Sequence, residues 1–271
     1  MPIRIAEIGC AFVATALAIA LVAGCQTSAL GRRQIKMMSE TEMSRMGASA
    51  FSEISKQTPR SRDALENAMV ACVANAITKS LPGANSKSRW EVRVFADNTP
   101  NAFALPGGKI GVNLGLLKVA RTQGQLAAVI GHEIAHVPQG HANERVSSEF
   151  ATKTGLQLLS AVADPSNVVH REMIGLLGAG VQIGVLLPFG REHEREADLI
   201  GLDLMAKAGF NPNESVALWL NMAKAGGSQP PEFLSTHPSR SSRIYELKRR
   251  IPSAMPLYED AKARGRNPRC F

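Results

Sequence analysis

The chain has 271 residues, 45% of them hydrophobic and 20% charged, an ordinary globular balance that excludes a disordered chain. Aromatic residues make up only 5%, and there are four cysteines. These values exclude an aromatic stacking surface for single-stranded nucleic acid and a disulfide-stapled scaffold. The net charge of +8 is spread along the chain, with its strongest bias over residues 231–271. It reads as a solvated surface, and no nucleic-acid partner is expected.

The N-terminus starts with Arg4 and an apolar run from Ala11 to Ala23 broken only by Thr15. That is the length of a signal-peptide core and too short to span a bilayer. The run ends Leu21-Val22-Ala23-Gly24-Cys25, which resembles a bacterial lipobox. The resemblance implies removal of residues 1–24 and lipidation of Cys25. By resemblance to lipoprotein sorting in enteric bacteria, Gln26 in place of an aspartate favours the outer membrane, facing the periplasm. Residues 25–34 read as the lipidated cysteine and a small, polar tether. Cys72 lies in an apolar helical stretch and Cys270 is next to last. One buried thiol and one tail thiol is the favoured reading of that pair.

A helix is expected from Ser39 to about Lys56, opened by a Ser39/Glu42 capping box. A second runs from about Asp63 to Lys79 and stops at Pro82-Gly83. Short strands follow at Trp90–Phe95, Ala102–Leu105 and Ile110–Leu114, with a tight turn at Pro106-Gly107-Gly108. The rest reads as helical, at about 123–137, 142–162, 167–187, 190–208, 213–225 and 239–250. The segment from Met173 to Leu187 is mostly apolar and reads as a buried core helix or a lid over a cleft. The expected class is α+β, mostly helical, with one small β-sheet. The folded domain is expected over residues 35–252, followed by a basic tail over 253–271.

The chemistry is concentrated at Gly131-His132-Glu133-Ile134-Ala135-His136. A four-residue step on a helix turns 400°, so His132 and His136 share one face and can share one Zn²⁺. Glu133 lies beside them, placed to take a proton from the attacking water. A catalytic zinc needs a third protein ligand. The pattern H-E-x-x-H-x-x-G-x-x-H fails here, because Gln139 and Ala142 occupy the glycine and histidine positions. His141 lies five residues past His136, about 140° round a continuous helix, and reads as a structural or surface histidine. Pro138 and Gly140 predict an early helix end or a kink. Among Glu192, Glu194 and Glu196, the spacing favours Glu194. Asp198 lies four residues on, facing the same way, where it can accept the outer N–H of a ligand imidazole.

Four stretches together resemble the M48-type metallopeptidases, the group that contains the CAAX prenyl proteases. They are Asn101-Ala-Phe-Ala-Leu-Pro-Gly-Gly108, the helix at 131–136, Glu194 to Asp198 with Ala197, and Thr236-His-Pro238 with Arg243-Ile244. The resemblance covers about residues 39–250, and the lipobox draws it toward the LoiP-like outer-membrane lipoprotein proteases. It implies a zincin-like (gluzincin) fold with the small sheet beside the zinc helix. It also implies one Zn²⁺ per chain on His132, His136 and Glu194, Glu133 as general base, and Asp198 orienting a ligand histidine. Asn101, Ala102, Phe103 and Ala104 would form the edge strand that pairs with the substrate backbone. His237 would approach the metal, to stabilise the oxyanion or to block the site at rest. The implied activity is zinc-dependent endopeptidase cleavage of unfolded or misassembled envelope proteins, with outer-membrane assembly factors as partners. The alternative is a latent zinc lipoprotein with a holding role.

Overall fold

The computed structural model describes residues 25–86, 89–163, 189–225, 232–237 and 242–271. The signal segment and the helix expected over 167–187, with its lid or core role, lie outside these residues. The chain forms β1 (Cys25–Thr27), β2 (Arg33–Ile35), α1 (Glu40–Gln57), α2 (Ala64–Thr78), β3 (Glu91–Phe95), β4 (Ala102–Leu105), β5 (Lys109–Asn113) and α3 (Leu114–Val119). Then come α4 (Gln123–His136), α5 (His141–Ala163), α6 (Arg191–Lys207), α7 (Glu214–Ala225), α8 (Glu232–Thr236) and α9 (Arg243–Ala263). A mostly helical α+β fold is the observed class. Among the described residues, no helix is long and apolar enough to cross a membrane.

Local chemistry accounts for most of these elements. Ser39 and Glu42 close the expected capping box on α1, and Asp63 caps α2 through the amides of Leu65 and Glu66. The three-stranded sheet has the order β3-β5-β4, with β3 parallel and β4 antiparallel to β5. Among the described residues, no strand pairs with the other edge of β4. Asn113 N–H bonds to Asn101 O, so alternation along the antiparallel pair turns the main-chain groups of Ala102 and Ala104 away from β5. α4 is the central element. Every residue from Gly124 to His136 is buried, under α2, α6, α7 and β4. α4 crosses α6 at Gly131 and Gly201, where a Cβ on Gly201 would lie 2.7 Å from His132 N. Two glycines therefore let the backbones touch and bring Glu194 and Asp198 opposite the α4 histidines.

Three elements differ from expectation. Residues 25–35, which include the expected tether, form a β1–β2 hairpin that no strand signal marked, a second small sheet paired from Cys25↔Ile35 to Thr27↔Arg33. The last helix does not stop near residue 250 but runs on through Pro252 and Pro256 to Ala263. Both prolines are exposed, four residues apart, while Leu247, Ala254 and Ala261 are buried on the other side. Water can serve the carbonyls the prolines orphan, and packing outweighs a penalty of about 3 kcal/mol.

The third difference is that Cys72 and Cys270 form a disulfide across 198 residues, fastening the C-terminal segment to α2. Cys270 N–H also bonds to Gln123 Oε1, and Gln123 Nε2 bonds to Pro268 O. Closing so long a loop restricts the unfolded chain. Cys72→Ser is expected to cost about 2–4 kcal/mol in urea denaturation, and the same loss should follow reduction of the wild type. No loss in either case would mean that the bond is not formed in solution.

Candidate metal centre

α4 ends at His136, as Pro138 and Gly140 suggest. Residues 137–140 form a turn, Gly140 adopts φ +69°, and α5 restarts at His141. The two α4 histidines point toward α6, and His132 Nε2 lies 3.2 Å from His136 Nε2. Glu194 reaches between them, with Oε2 3.5 Å from His132 Nε2 and Oε1 3.6 Å from His136 Nε2. His237, just past α8, adds a fourth group, its Nδ1 3.2 Å from His132 Nε2 and 3.0 Å from Glu194 Oε1. All four residues are buried, and one ligand atom from each lies within 4.8 Å of the others.

The outer faces of these ligands are tied down. His132 Nδ1 lies 3.0 Å from Asp198 Oδ1. Arg243 Nε donates to Asp198 Oδ2 at 2.7 Å, and Arg243 Nη2 donates to Glu194 Oε2 at 2.6 Å. The Arg243 guanidinium itself lies 4.0 Å over the Trp219 ring. His136 Nδ1 faces His141 Nδ1 at 2.9 Å, and His141 Nε2 lies 3.0 Å from Glu196 Oε2. Phe189 stacks on His136 with centroids 4.0 Å apart. Both α4 histidines thus have Nδ1 committed outward and Nε2 turned into the cluster, the tautomer a metal ligand needs.

The electrostatics also suit a cation. Burial disfavours a charged His132, but Glu194 and Asp198 outweigh it and raise its pKa to about 10. His136 is pushed well below the ordinary histidine range by burial and by its histidine neighbours. For Glu194, burial opposes the charge, yet the attraction of His132 and the hydrogen bonds from His132 and His237 hold its carboxyl far below the usual range. Buried carboxylates and imidazoles converge here, with Arg243 already paired to Glu194 and Asp198, and that donor set suits a divalent cation.

Glu133 lies beside the cluster. Its Oε2 accepts from Ala104 N–H at 3.2 Å, and Oε1 lies 3.3 Å from His237 Nε2 without hydrogen-bond geometry. Burial raises its pKa, with His237 and His132 pulling the other way. The same β4 edge lines a cavity of about 450 Å³ that also contacts Met38, Met43, Trp90, His136 and Phe189.

The structure therefore brings His132, Glu133, His136, Glu194, Asp198, His237 and Ala104 into one site. Ala102 and Phe103 continue the β4 edge, with Asn101 just before it. Cys25 stands apart, at the start of β1. Of the two readings of His141, structural or surface, the structure has the structural one: it is fully buried, with Nδ1 against His136. The helix break at Pro138–Gly140 was its only signal. Arg243 was missed as a partner of Glu194 and Asp198. The Thr236–Ile244 stretch marks the residue, but its pairing spans 49 and 45 residues, and no helical or strand period names those partners.

The family model described as Peptidase family M48 matches residues 64–251 of this chain. Mitochondrial metalloendopeptidase OMA1 of Schizosaccharomyces pombe is 39% identical over 171 residues, covering 62% of this chain and 49% of that protein. Metalloendopeptidase OMA1, mitochondrial, of Homo sapiens is 32% identical over 245 residues, covering 85% and 45%. Beta-barrel assembly-enhancing protease of Yersinia pestis is 32% identical over 162 residues, covering 58% and 33%. The chain spans half or less of the length of these relatives.

Proposed function

The chain belongs to peptidase family M48, with zinc as its cofactor, and from that premise we propose an endopeptidase of the bacterial envelope that cleaves unfolded or misassembled envelope proteins. The observation that carries this reading is the contact between Glu133 and Ala104. It joins the zinc helix to the strand edge that no described strand pairs, so the general base and the substrate's docking rail form one unit. An extended peptide adds to β4 through the outward carbonyl of Ala104, whose N–H Glu133 holds, with Asn101, Ala102 and Phe103 framing the strand. His132, His136 and Glu194 would hold the zinc, which when bound would supply Lewis acidity for the scissile carbonyl and the water. Ala104 N–H fixes one oxygen of Glu133, leaving Oε1 to take the proton from the attacking water. Glu133 then returns that proton to the leaving amine. Asp198 holds His132 in its binding tautomer.

The envelope assignment rests on the lipobox-like Leu21–Cys25 stretch, with Cys25 as the lipidated residue, and on the similarity to a bacterial protease named for β-barrel assembly. The mitochondrial relatives share the peptidase domain in another compartment. Outer-membrane assembly factors are the partners this reading favours.

His237 adds a fourth protein donor, whereas a working zinc site keeps that position open. We assign it the role of closing the site at rest and withdrawing for catalysis. His237→Ala is then expected to raise kcat/KM on casein roughly tenfold, by making the open form the major one. A fall of about 100-fold would instead assign His237 to the oxyanion and remove the resting-block role.

A further inference from the structure

The β1–β2 hairpin lies outside the family-matched residues, yet it is bonded to the far side of the metal centre. Ser28 Oγ donates to Glu196 Oε1. Arg32 Nη2 bridges Glu196 Oε2 at 3.1 Å and Glu144 Oε2 at 2.7 Å. Glu196 Oε2 in turn meets His141 Nε2, and His141 Nδ1 meets His136 Nδ1. Glu196 and His141 are both buried, and Arg32 is about a quarter exposed. The hairpin is further fastened to α5 by Gln34 Nε2 on Glu144 Oε2 and, just past β2, by Met37 N–H on Ser147 Oγ.

We propose that Ser28 and Arg32 are positioning residues for the metal ligand His136, acting through Glu196 and His141. The proton placement follows from the donors. His136 must keep Nε2 free for the metal, so its Nδ1–H donates to His141 Nδ1. His141 then carries its own proton on Nε2 and donates it to Glu196. A carboxylate that must accept from His141 needs a fixed orientation, and Ser28 and Arg32 provide it from opposite oxygens. The two α4 ligands are thus supported in parallel ways: His132 by Asp198 with Arg243 behind it, His136 by His141 and Glu196 with the hairpin behind them. The hairpin begins at Cys25, so the segment adjoining the proposed lipid anchor is the one that sets the geometry of His136.

This inference rests on the zinc reading of the site, and the test separates the two. Zinc affinity of the full chain in detergent is measured by competition with a chelator, with hydrolysis as a second readout. His141→Ala is expected to weaken zinc binding about 10- to 100-fold, and Arg32→Ala about 3- to 10-fold. His141→Gln, which can still accept from His136 and donate to Glu196, should recover part of the loss. Arg250→Ala breaks an ion pair to Asp203 elsewhere on α6. It should lower stability without changing zinc affinity, which a merely structural effect of the hairpin could not imitate. Arg32 is exposed enough that its variant should fold even if His141→Ala does not. Wild-type zinc affinity in Arg32→Ala, or a loss no larger than that of Arg250→Ala, overturns the hairpin's role. A wild type that binds no zinc overturns the metal reading along with it.

Discussion

Glu133→Gln is expected to lower peptide hydrolysis about 1,000-fold, within the range of general acid–base catalysis, while leaving zinc binding intact. The glutamine keeps an oxygen for the Ala104 N–H and the same volume in a closed space, but it cannot hold and return a proton. Stability should move the other way. Burial raises the Glu133 pKa, so the folded state favours the protonated acid. Its contribution is complete below the ordinary carboxyl pKa and is lost as pH rises through the raised value. The amide has no such loss. In zinc-stripped protein, thermal denaturation from pH 4 to pH 8 should show Glu133→Gln gaining on the wild type as pH rises. An unchanged gap would mean that Glu133 is not held in a charge-excluding environment. Wild-type turnover in the variant would remove it as the base.

Arg243→Met is the second large effect. Arg243 is buried and bonds to the carboxylates of Glu194 and Asp198. Removing it leaves two buried carboxylates without their shared cation. Breaking a buried ion pair from one side costs about 3–5 kcal/mol, because the remaining charge stays desolvated. Zinc should offset part of this loss, since its charge also neutralises Glu194. Urea denaturation of the variant should therefore show the full deficit in chelator and a smaller one in zinc. Arg243→Lys should recover only part, because an ammonium cannot reproduce the two-pronged contact or the stacking on Trp219. A deficit below about 1 kcal/mol in chelator would show that the two carboxylates find other partners.

What the sequence made legible is local in the chain. The histidine spacing on α4, the Glu194 to Asp198 step on α6 and the alternation in β4 each follow from one helical or strand period. Those periods are enough to place the inner side of the metal centre. The outer side depends on long-range closure. Arg243 comes from the last helix, the hairpin from the first residues described, and the disulfide joins positions 198 apart. None of these pairings leaves a periodic trace. His141 is the instructive intermediate. On a continuous helix its azimuth points away from His136, and the turn at 137–140 cancels that argument. The continuation of α9 through two prolines is a similar case, in which packing on one face overrides local propensity. The exposed run Arg191–Glu192 keeps the solvated character a charged helix face implies, while Glu194, Glu196 and Asp198 on the same helix are buried.

The central claim is that this site cuts peptide bonds with zinc. The most direct measurement incubates the full chain, stripped and then reloaded with one equivalent of Zn²⁺, with unfolded casein and reads new N-termini by mass spectrometry. The account predicts new internal termini with the reloaded wild type and none with the stripped protein or with reloaded Glu133→Gln. Intact casein from a wild type shown to hold one zinc, with His237→Ala equally inactive, would contradict it and leave a closed zinc site that binds without cutting.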